Sequence, residues 1–534
     1  MPDTLTPPAT APTPVHPSAP ATDVYAIHGA DPEVLAYAMA KYSRSSLTMK
    51  ESLAEISSQR AEQFLNTFYF QYGHRSIADL AHIPFAIERL SLLAAISLVD
   101  EQRWDGQERS TRYQNFRKSG WFTPQLQAEK TSQTSFTTTD YTQAVEALFH
   151  AYDQVGAAML EALKRAIPQP ATMQDEAYNR TLKARAFDVA RYLLPLATNT
   201  SLGQIVNART LETQISRLLS SDFAEARSLG AQLRSAASEP AWNVTHDAAR
   251  VLCSEVTSAD AETGARVTEA LLREVKAAPT LVKYASPSEY AIASRRELRA
   301  AAAELMANRP IEPAPVVDLV DASPSLEIEL ATSLLYPECH YSWHQLQRTV
   351  GALSTSQVAE IVALGTKHRG RHDELPRSFS AGQSLQFDIL MDIGGFRDMH
   401  RHRRCVQLLQ DYTDLHGYEE PTCPGQPTLA EAGLADTYRS AMDAAFAAYR
   451  NLRDAGDAES AAYLLPLGTR VRAMFKMDFA EALYIAELRS GVAGHFSYRR
   501  VAWEMYLAIA KRHPSLAPSF RIEDVNQPVD LLKR

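Results

Sequence analysis

The sequence predicts a helix-rich α+β fold present as two tandem copies. Three observations carry this reading: long breaker-poor helical patterns, a few short segments of strand character, and ordered echoes of the first half in the second. Helical periodicity with few breakers runs through Ile77–Val99, Tyr141–Ile167, Thr210–Ala236, Leu429–Asp454 and Phe479–Arg512. Strand character, in short apolar runs rich in β-branched or alternating residues, falls at Val24–Ile27, Val317–Val320 and Ser384–Met391.

The echoes set the organisation. Val24-Tyr25-Ala26-Ile27 leads into Asp31-Pro32, and Val317-Asp318-Leu319-Val320 leads into Ser323-Pro324, each a strand, a turn and a helix capped by Asp31 or Ser323 with proline at its first position. Arg75-Ser76 and Phe85 return as Arg377-Ser378 and Phe387 at equal spacing, and Arg191-Tyr192-Leu193-Leu194-Pro195-Leu196 returns as Ala462-Tyr463-Leu464-Leu465-Pro466-Leu467. Echoes in one order over this length point to duplication. The expected units are a disordered Pro/Ala/Thr-rich tail over 1–22, a first copy over 23–275, a connector over 276–314 and a second copy over 315–534. Within the connector, Ser294–Asn308 reads as helix and Arg309–Pro315 as a stiff Pro-rich link.

With 534 residues, 45% hydrophobic and 22% charged, the chain has the composition of a globular protein with ample core material. A formal net charge of −9 argues against a general nucleic-acid surface. The start lacks a basic segment and a continuous apolar run, so it does not read as a secretory signal, and no stretch is long and apolar enough to predict a membrane span. Cys253, Cys339, Cys405 and Cys423 are scattered, without CxxC spacing, which indicates neither a disulfide framework nor a metal site and fits a reducing cytoplasm. Cys339 beside His340 and His344 has no accompanying oxyanion or base motif and reads as a packed thiol.

Two polar segments stand out. Arg401-His402-Arg403-Arg404, preceded by Arg397 and His400, gathers forked guanidinium donors that match phosphate oxygens, or else forms a solvated basic face. Glu108-Arg109-Ser110-Thr111-Arg112-Tyr113 combines hydroxyls, guanidiniums and a carboxylate that suit a nucleoside monophosphate, a set that surface loops also assemble. Arg191, Asn207, Arg209 and Arg489 lie beside apolar runs, where an arginine is either half of an internal ion pair or an anion ligand.

Taken in order, these segments resemble the flavin-dependent thymidylate synthases, whose signature is, loosely, R-H-R-x-x-S-x-N-x-x-S-x-R-Y. Arg401-His402-Arg403 match its opening and Ser110, Arg112 and Tyr113 its close; Glu108 matches an acidic position before the serine. Arg191 resembles the family's arginine before L-P, Asn207-Ala208-Arg209 its N-x-R element and Leu488-Arg489 its late L-R. The resemblance implies the family's fold, a small antiparallel sheet with long helices, and its reaction, reductive methylation of dUMP to dTMP. Methylenetetrahydrofolate gives the carbon and FAD, reduced by NADPH, gives the hydride, without an enzyme nucleophile or a metal. It further implies that Glu108, Arg109, Ser110, Thr111, Arg112 and Arg191 bind the nucleotide and that Arg489 both binds and acts catalytically at the uracil. Arg401, His402, Arg403, Ser76, Asn207 and Arg209 are implied to contact FAD. A homodimer would imitate the family's four-subunit assembly, with no nucleic-acid or membrane partner.

Each copy departs from the signature where the other keeps it. The first has Asp100-Glu101-Gln102 where R-H-R belongs; each carboxylate about 5 Å from a flavin phosphate would oppose it by about 3 kcal/mol at an effective dielectric of about 20. The second has Asp411 and Thr413 where Ser110 and Arg112 stand, Ala462 for Arg191, and Asp478-Phe479-Ala480 for N-x-R. Arg217 falls one place before the position of Arg489, and the middle serine is replaced in both copies, by Asp105 and Val406. One composite site per chain is the leading expectation. The alternatives are flavin- and folate-dependent modification of another pyrimidine nucleotide, favoured by the missing serine, and a catalytically inactive nucleotide-binding or scaffold homologue, favoured by the charge reversals.

Overall fold

In the computed structural model, residues 24–42, 45–55, 75–126, 136–320, 326–368, 385–514 and 520–532 are described, with isolated positions between them. The expected tail, the Ser323 cap, Arg377, the first residue of the Ser384–Met391 strand and the Ser76 side chain lie outside them.

Two antiparallel sheets form, one in each half. The first has the order β1 (His82–Ser91), β3 (Asn199–Asn207), β2 (Asp105–Glu108). The second has β4 (Val317–Leu319), β5 (Leu385–Asp392), β7 (Arg470–Met477), β6 (Val406–Leu409), so that β5-β7-β6 repeats β1-β3-β2. The turns into helix repeat as well. Ser91 Oγ accepts from Ala94 N at 2.9 Å to cap the helix Leu92–Leu98, and Asp392 Oδ1 accepts from Gly395 N at 2.7 Å to cap the helix Ile393–Met399. Asn207 and Asp478 cap the helices Ala208–Leu219 and Phe479–Ser490 in the same way.

Five expectations are corrected here. Ile77–Val99 is not one helix: a 3-10 turn (Arg75–Leu80) precedes β1, and helix begins only at Leu92. Pro84 explains part of this, because it removes an amide that a helix interior needs, whereas an edge strand such as β1 tolerates the loss. Among the described residues Val24–Ile27 has no strand partner and is irregular, and Asp31 precedes its helix without a side-chain cap, its carboxylate being bound by Arg273 at 2.6 Å and 2.9 Å. Thr210–Ala236 and Phe479–Arg512 each break into two helices, at 220–223 and 491–495. Tyr141–Ile167 and Leu429–Asp454 lie largely on helices, Thr138–Ala166 and Ala435–Asp454, which pack on each other across the halves.

Between the halves the two Leu-Leu-Pro-Leu segments cross antiparallel. Leu196 and Ala197 donate their amides to the carbonyls of Leu465 and Tyr463, and Leu467 and Gly468 donate to Leu194 and Tyr192, all at 2.9 Å. Pro195 and Pro466 face one another in this ladder, where neither is asked to donate. One apolar core runs through both halves around the crossing, with Tyr192, Leu193, Leu194, Leu464 and Leu465 buried in it. A second core joins the first half to the start of the connector, residues 277–285, and a third joins the connector helix Glu289–Leu305 to the second half.

Gly468 fits only because it has no side chain. A Cβ there would stand 2.9 Å from Tyr438 Oη, 3.1 Å from Tyr192 Cβ and 3.2 Å from the Tyr192 carbonyl that its own amide binds. Gly468→Ala is therefore expected to destabilise the protein by about 1–3 kcal/mol, read as a lower urea midpoint.

Candidate functional site

The segments that the sequence leaves half-matched meet at the junction. Loop 109–113 follows β2 and faces two elements of the second half, the helix Ile393–Met399 and the turn before the helix Phe496–Arg512. The Arg112 guanidinium is buried. It grips Asp188 through Nε at 2.7 Å and Nη2 at 3.1 Å, and reaches across the junction to Tyr498 Oη at 2.9 Å and the Ala493 carbonyl at 3.2 Å. Burial pulls its pKa down, but the Asp188 carboxylate outweighs that and keeps the group charged. Glu108, at the end of β2, forms an ion pair with Arg397 of the second half.

Arg191 sits deepest, 1% exposed. Its Nη1 donates to Asp398 Oδ2 of the second half at 3.2 Å, while Nε and Nη2 have no hydrogen-bond partner among the described residues. A Cβ built at Gly394 would stand 3.6 Å from each of those two nitrogens, so the glycine places no side chain against them. Burial pushes Asp398 up, but Arg191, Arg112 and Arg397 together hold its carboxyl below the usual range. His495, fully buried nearby, is kept neutral by burial and by Arg191; its Nε2 donates to the Asp188 carbonyl at 2.9 Å and its Nδ1 accepts from Ser497 N at 3.2 Å.

The structure divides the other expected ligands. Ser110 Oγ accepts from Arg112 N at 3.2 Å and Thr111 is buried. Arg109 serves its own loop: it donates to Gln114 and Ser119 at 2.8 Å and to the Asn115 carbonyl at 3.1 Å, and lies on the Phe116 ring. Asn207 spends its side-chain oxygen on the amide of Thr210, and Arg209 pairs with Asp79 at 3.4 Å.

Arg401 is exposed and has no ion pair among the described residues. Arg403 packs on the Trp104 ring, 4.8 Å from its centre, and donates to the Val99 carbonyl. Burial and Arg401 bring it down to about 10, against the raising influence of Asp100, Glu101 and Asp105. His402 is buried and accepts from Arg489 Nε at 2.8 Å. Asp100 lies 3.6 Å from His400, and Glu101 accepts from Arg217 at 2.9 Å. The acidic segment of the first half is thus packed beside the basic segment of the second.

Sequence reasoning missed Asp188, Asp398, His495 and Tyr498. Asp188 carried a signal: a lone carboxylate within Ala184–Leu196, an otherwise apolar stretch of helix and turn apart from its two arginines, must find a cation when buried.

In the other pairing of halves the positions of Glu108, Arg191 and Arg397 are apolar, although Ser91, Glu225 and Glu459 lie in the same region. Leu409 and Ile96 stand where Glu108 and Arg397 stand, and both pack in the shared core; Ala462 takes the place of Arg191. Outside it, the connector's Arg299 lies 3.3 Å from Asp222 and 3.5 Å from both Glu338 and Asp411. Burial pushes Glu338 up to about 7 despite Arg299. Val406, where the signature has its middle serine, is buried in the third core.

The family described as thymidylate synthase complementing protein matches the chain twice, over residues 26–237 and 328–515. The chain belongs to this family, the flavin-dependent thymidylate synthases, as two copies in tandem. A UPF0159 protein of Chlamydia muridarum is 26% identical over 533 residues, covering 93% of this chain and 91% of its own length. Another, from Thermoplasma acidophilum, is 25% identical over 516 residues, covering 91% and 94%. The flavin-dependent thymidylate synthase of Clostridium tetani is 24% identical over 186 residues, 34% of this chain and 67% of that one. A Helicobacter pylori flavin-dependent thymidylate synthase, solved with FAD and dUMP, aligns at 18% identity with a TM-score of 0.25, over 39% of this chain and 89% of that one. Among the described residues no helix is long and apolar enough to cross a membrane.

Burial and the neighbouring Arg489 and Arg403 pull His402 down to about 3, and burial with nearby arginines pulls His416 down to about 4. Unfolded, both take a proton near pH 6.5, so below that the unfolded chain binds more protons than the folded one. Their contribution to stability is complete above about pH 6.5 and is lost as pH falls towards these values. His402→Gln should flatten the dependence of the urea midpoint on pH between about 6.5 and 4 relative to the unsubstituted protein.

Proposed function

We propose that the chain binds dUMP in one composite site at the junction of its halves and methylates it reductively to dTMP, with methylenetetrahydrofolate giving the carbon and FAD, reduced by NADPH, giving the hydride. The units are the first copy over 23–275 and the second over 315–534, joined by 276–314, and two chains would make up the family's four-subunit arrangement in the cytoplasm. The reading rests on the family and on one observation above all: the buried Arg191 guanidinium, with Nε and Nη2 unpartnered among the described residues and Gly394 placing no side chain against them.

The residues present fit an anionic nucleotide. Arg191 offers a forked edge to a phosphate, Ser110 a hydroxyl, and Arg489 a half-buried guanidinium on the opposite half. They fit a flavin more narrowly, because His402 and Arg403 are engaged within the chain and Arg401 is the member of that triad left to meet a flavin phosphate. When bound, FAD supplies the hydride. This chain's part is to hold the nucleotide by Arg191, to keep the Arg489 cation near the pyrimidine as negative charge develops on it, and to exclude water through the crossed core. Asp398 holds Arg191 by its third side, leaving the other edge to the ligand.

A nucleotide-binding homologue without catalysis is favoured by Arg112, whose donors are already taken by Asp188, Tyr498 and Ala493. Another pyrimidine substrate is favoured by Asp105 and Val406 at the serine positions.

Calorimetric titration with dUMP and with other pyrimidine monophosphates separates these readings. The proposal expects one dUMP per chain, because Ala462 and Ile96 replace Arg191 and Arg397 in the pseudo-equivalent place, and binding weaker by about 10- to 100-fold in Arg191→Met, the worth of a charged hydrogen bond. Conversion of dUMP to dTMP by the FAD-loaded protein, assayed with methylenetetrahydrofolate and NADPH, tests the catalytic part. Two dUMP per chain, or no loss in Arg191→Met, would remove the composite site.

A further inference from the structure

His402 belongs to the segment that resembles a flavin-contacting motif, yet its side chain points inward. Its Nε2 accepts the Arg489 Nε–H at 2.8 Å, so that nitrogen carries no proton and the neutral ring carries it on Nδ1. Nδ1 faces Glu481 Oε1 at 3.4 Å, a carboxylate that is 3% exposed, at the start of the helix that carries Arg489. On its other side Arg489 lies over the Tyr498 ring, 5.3 Å from its centre, and the Tyr498 hydroxyl takes Arg112 Nη1 at 2.9 Å.

The first half makes the contrast that decides the meaning. There Glu101 occupies the position of His402 and binds Arg217, next to the position of Arg489, at 2.9 Å. A carboxylate both orients and neutralises its arginine. A neutral imidazole orients the guanidinium and leaves its charge whole.

We propose that His402 is a positioning residue: backed by Glu481, it fixes Arg489 as an uncompensated cation at the junction, for the anionic pyrimidine nucleotide bound there. This rests on the nucleotide reading given above. It also removes His402 from the direct flavin contacts that the resemblance implies. The relay occurs in one half only, since Thr210, Glu101 and Leu218 stand at the positions of Glu481, His402 and Arg489 in the other.

Three substitutions at one position test it, with dUMP affinity measured by titration calorimetry and folding by thermal melting. His402→Gln restores a neutral acceptor and should bind dUMP within about threefold of the unsubstituted protein. His402→Leu removes the acceptor and should bind about 10- to 100-fold more weakly, and His402→Glu, which neutralises Arg489, at least as weakly as His402→Leu. In an Arg489→Ala background the three should be indistinguishable. A merely structural histidine would instead rank the variants by melting temperature and would rank them alike with Arg489 absent. Tight binding by a folded His402→Leu or His402→Glu protein overturns the proposal.

Should the unsubstituted protein bind no dUMP, the nucleotide reading fails, and the positioning claim is judged without ligand. The nitrogen-15 spectrum of histidine-labelled protein should then show His402 neutral at pH 7, with its proton on Nδ1 and its Nε2 shift altered in Arg489→Ala. An imidazole protonated on Nε2, or one insensitive to Arg489→Ala, overturns it.

Discussion

The crossing of the two Leu-Leu-Pro-Leu segments is the constraint on which the rest depends. Four backbone hydrogen bonds and a shared apolar core tie one half to the other there, at the point where each half turns from a helical segment back into the central strand of its sheet. Because the ladder is antiparallel, it brings what precedes it in one half beside the helix after the first long strand of the other. Arg191 thereby meets Asp398 and Glu108 meets Arg397. Burying such charges is tolerable only when each finds its counter-charge, and here the counter-charges come from the other half.

Duplication within one chain removes the requirement that both pairings be alike. In a homodimer, a charge placed for one site appears in its symmetry mate as well. Here one pairing holds Glu108, Arg191 and Arg397 while the other holds Leu409, Ala462 and Ile96, which turns a second polar pocket into core. The same freedom explains the acidic segment Asp100-Glu101. Set against a flavin phosphate it would repel; set beside His400 and Arg403, and bonded to Arg217, it balances charge inside the protein. What reads in sequence as a lost cofactor motif is in the structure a partner for the motif that was kept.

The helix-cap sites after the first long strands show a related exchange. Ser91 caps one helix and its hydroxyl donates to Glu225 at 2.5 Å, whereas Asp392 caps the other and receives the hydroxyl of Ser497. Carboxylate and hydroxyl have changed places, and each cluster keeps one acid. Two carboxylates would repel and two hydroxyls would leave the cap without charge assistance, so the halves settle the same need in opposite ways.

The repeat, the helix-rich class and the meeting of the first half's Glu108–Arg112 segment with the second half were legible because they depend on spacing and residue type. Strand β1 was not, since His82–Ser91 has too little alternation to distinguish it from helix, and only pairing with β3 on an exposed edge settles it. Side-chain partners were legible least. Nothing local to His402 says that it turns inward to Arg489, or to Arg109 that it braces its own loop, because both outcomes depend on residues brought close only by the crossing.

Arg191 is the buried charge at the crossing with donors left over. A buried guanidinium with one of its three nitrogens paired among the described residues carries two donor nitrogens that have left water without gaining an acceptor, each at a cost of about 1–3 kcal/mol. Filling the space with a methyl at Gly394 would cover those donors and make the cost permanent. Under the nucleotide reading, an anionic ligand would supply the missing acceptors, and part of this cost would return as affinity. The same reading accounts for a glycine and an arginine facing each other here, where Leu93 and Ala462 stand at the corresponding positions of the other pairing.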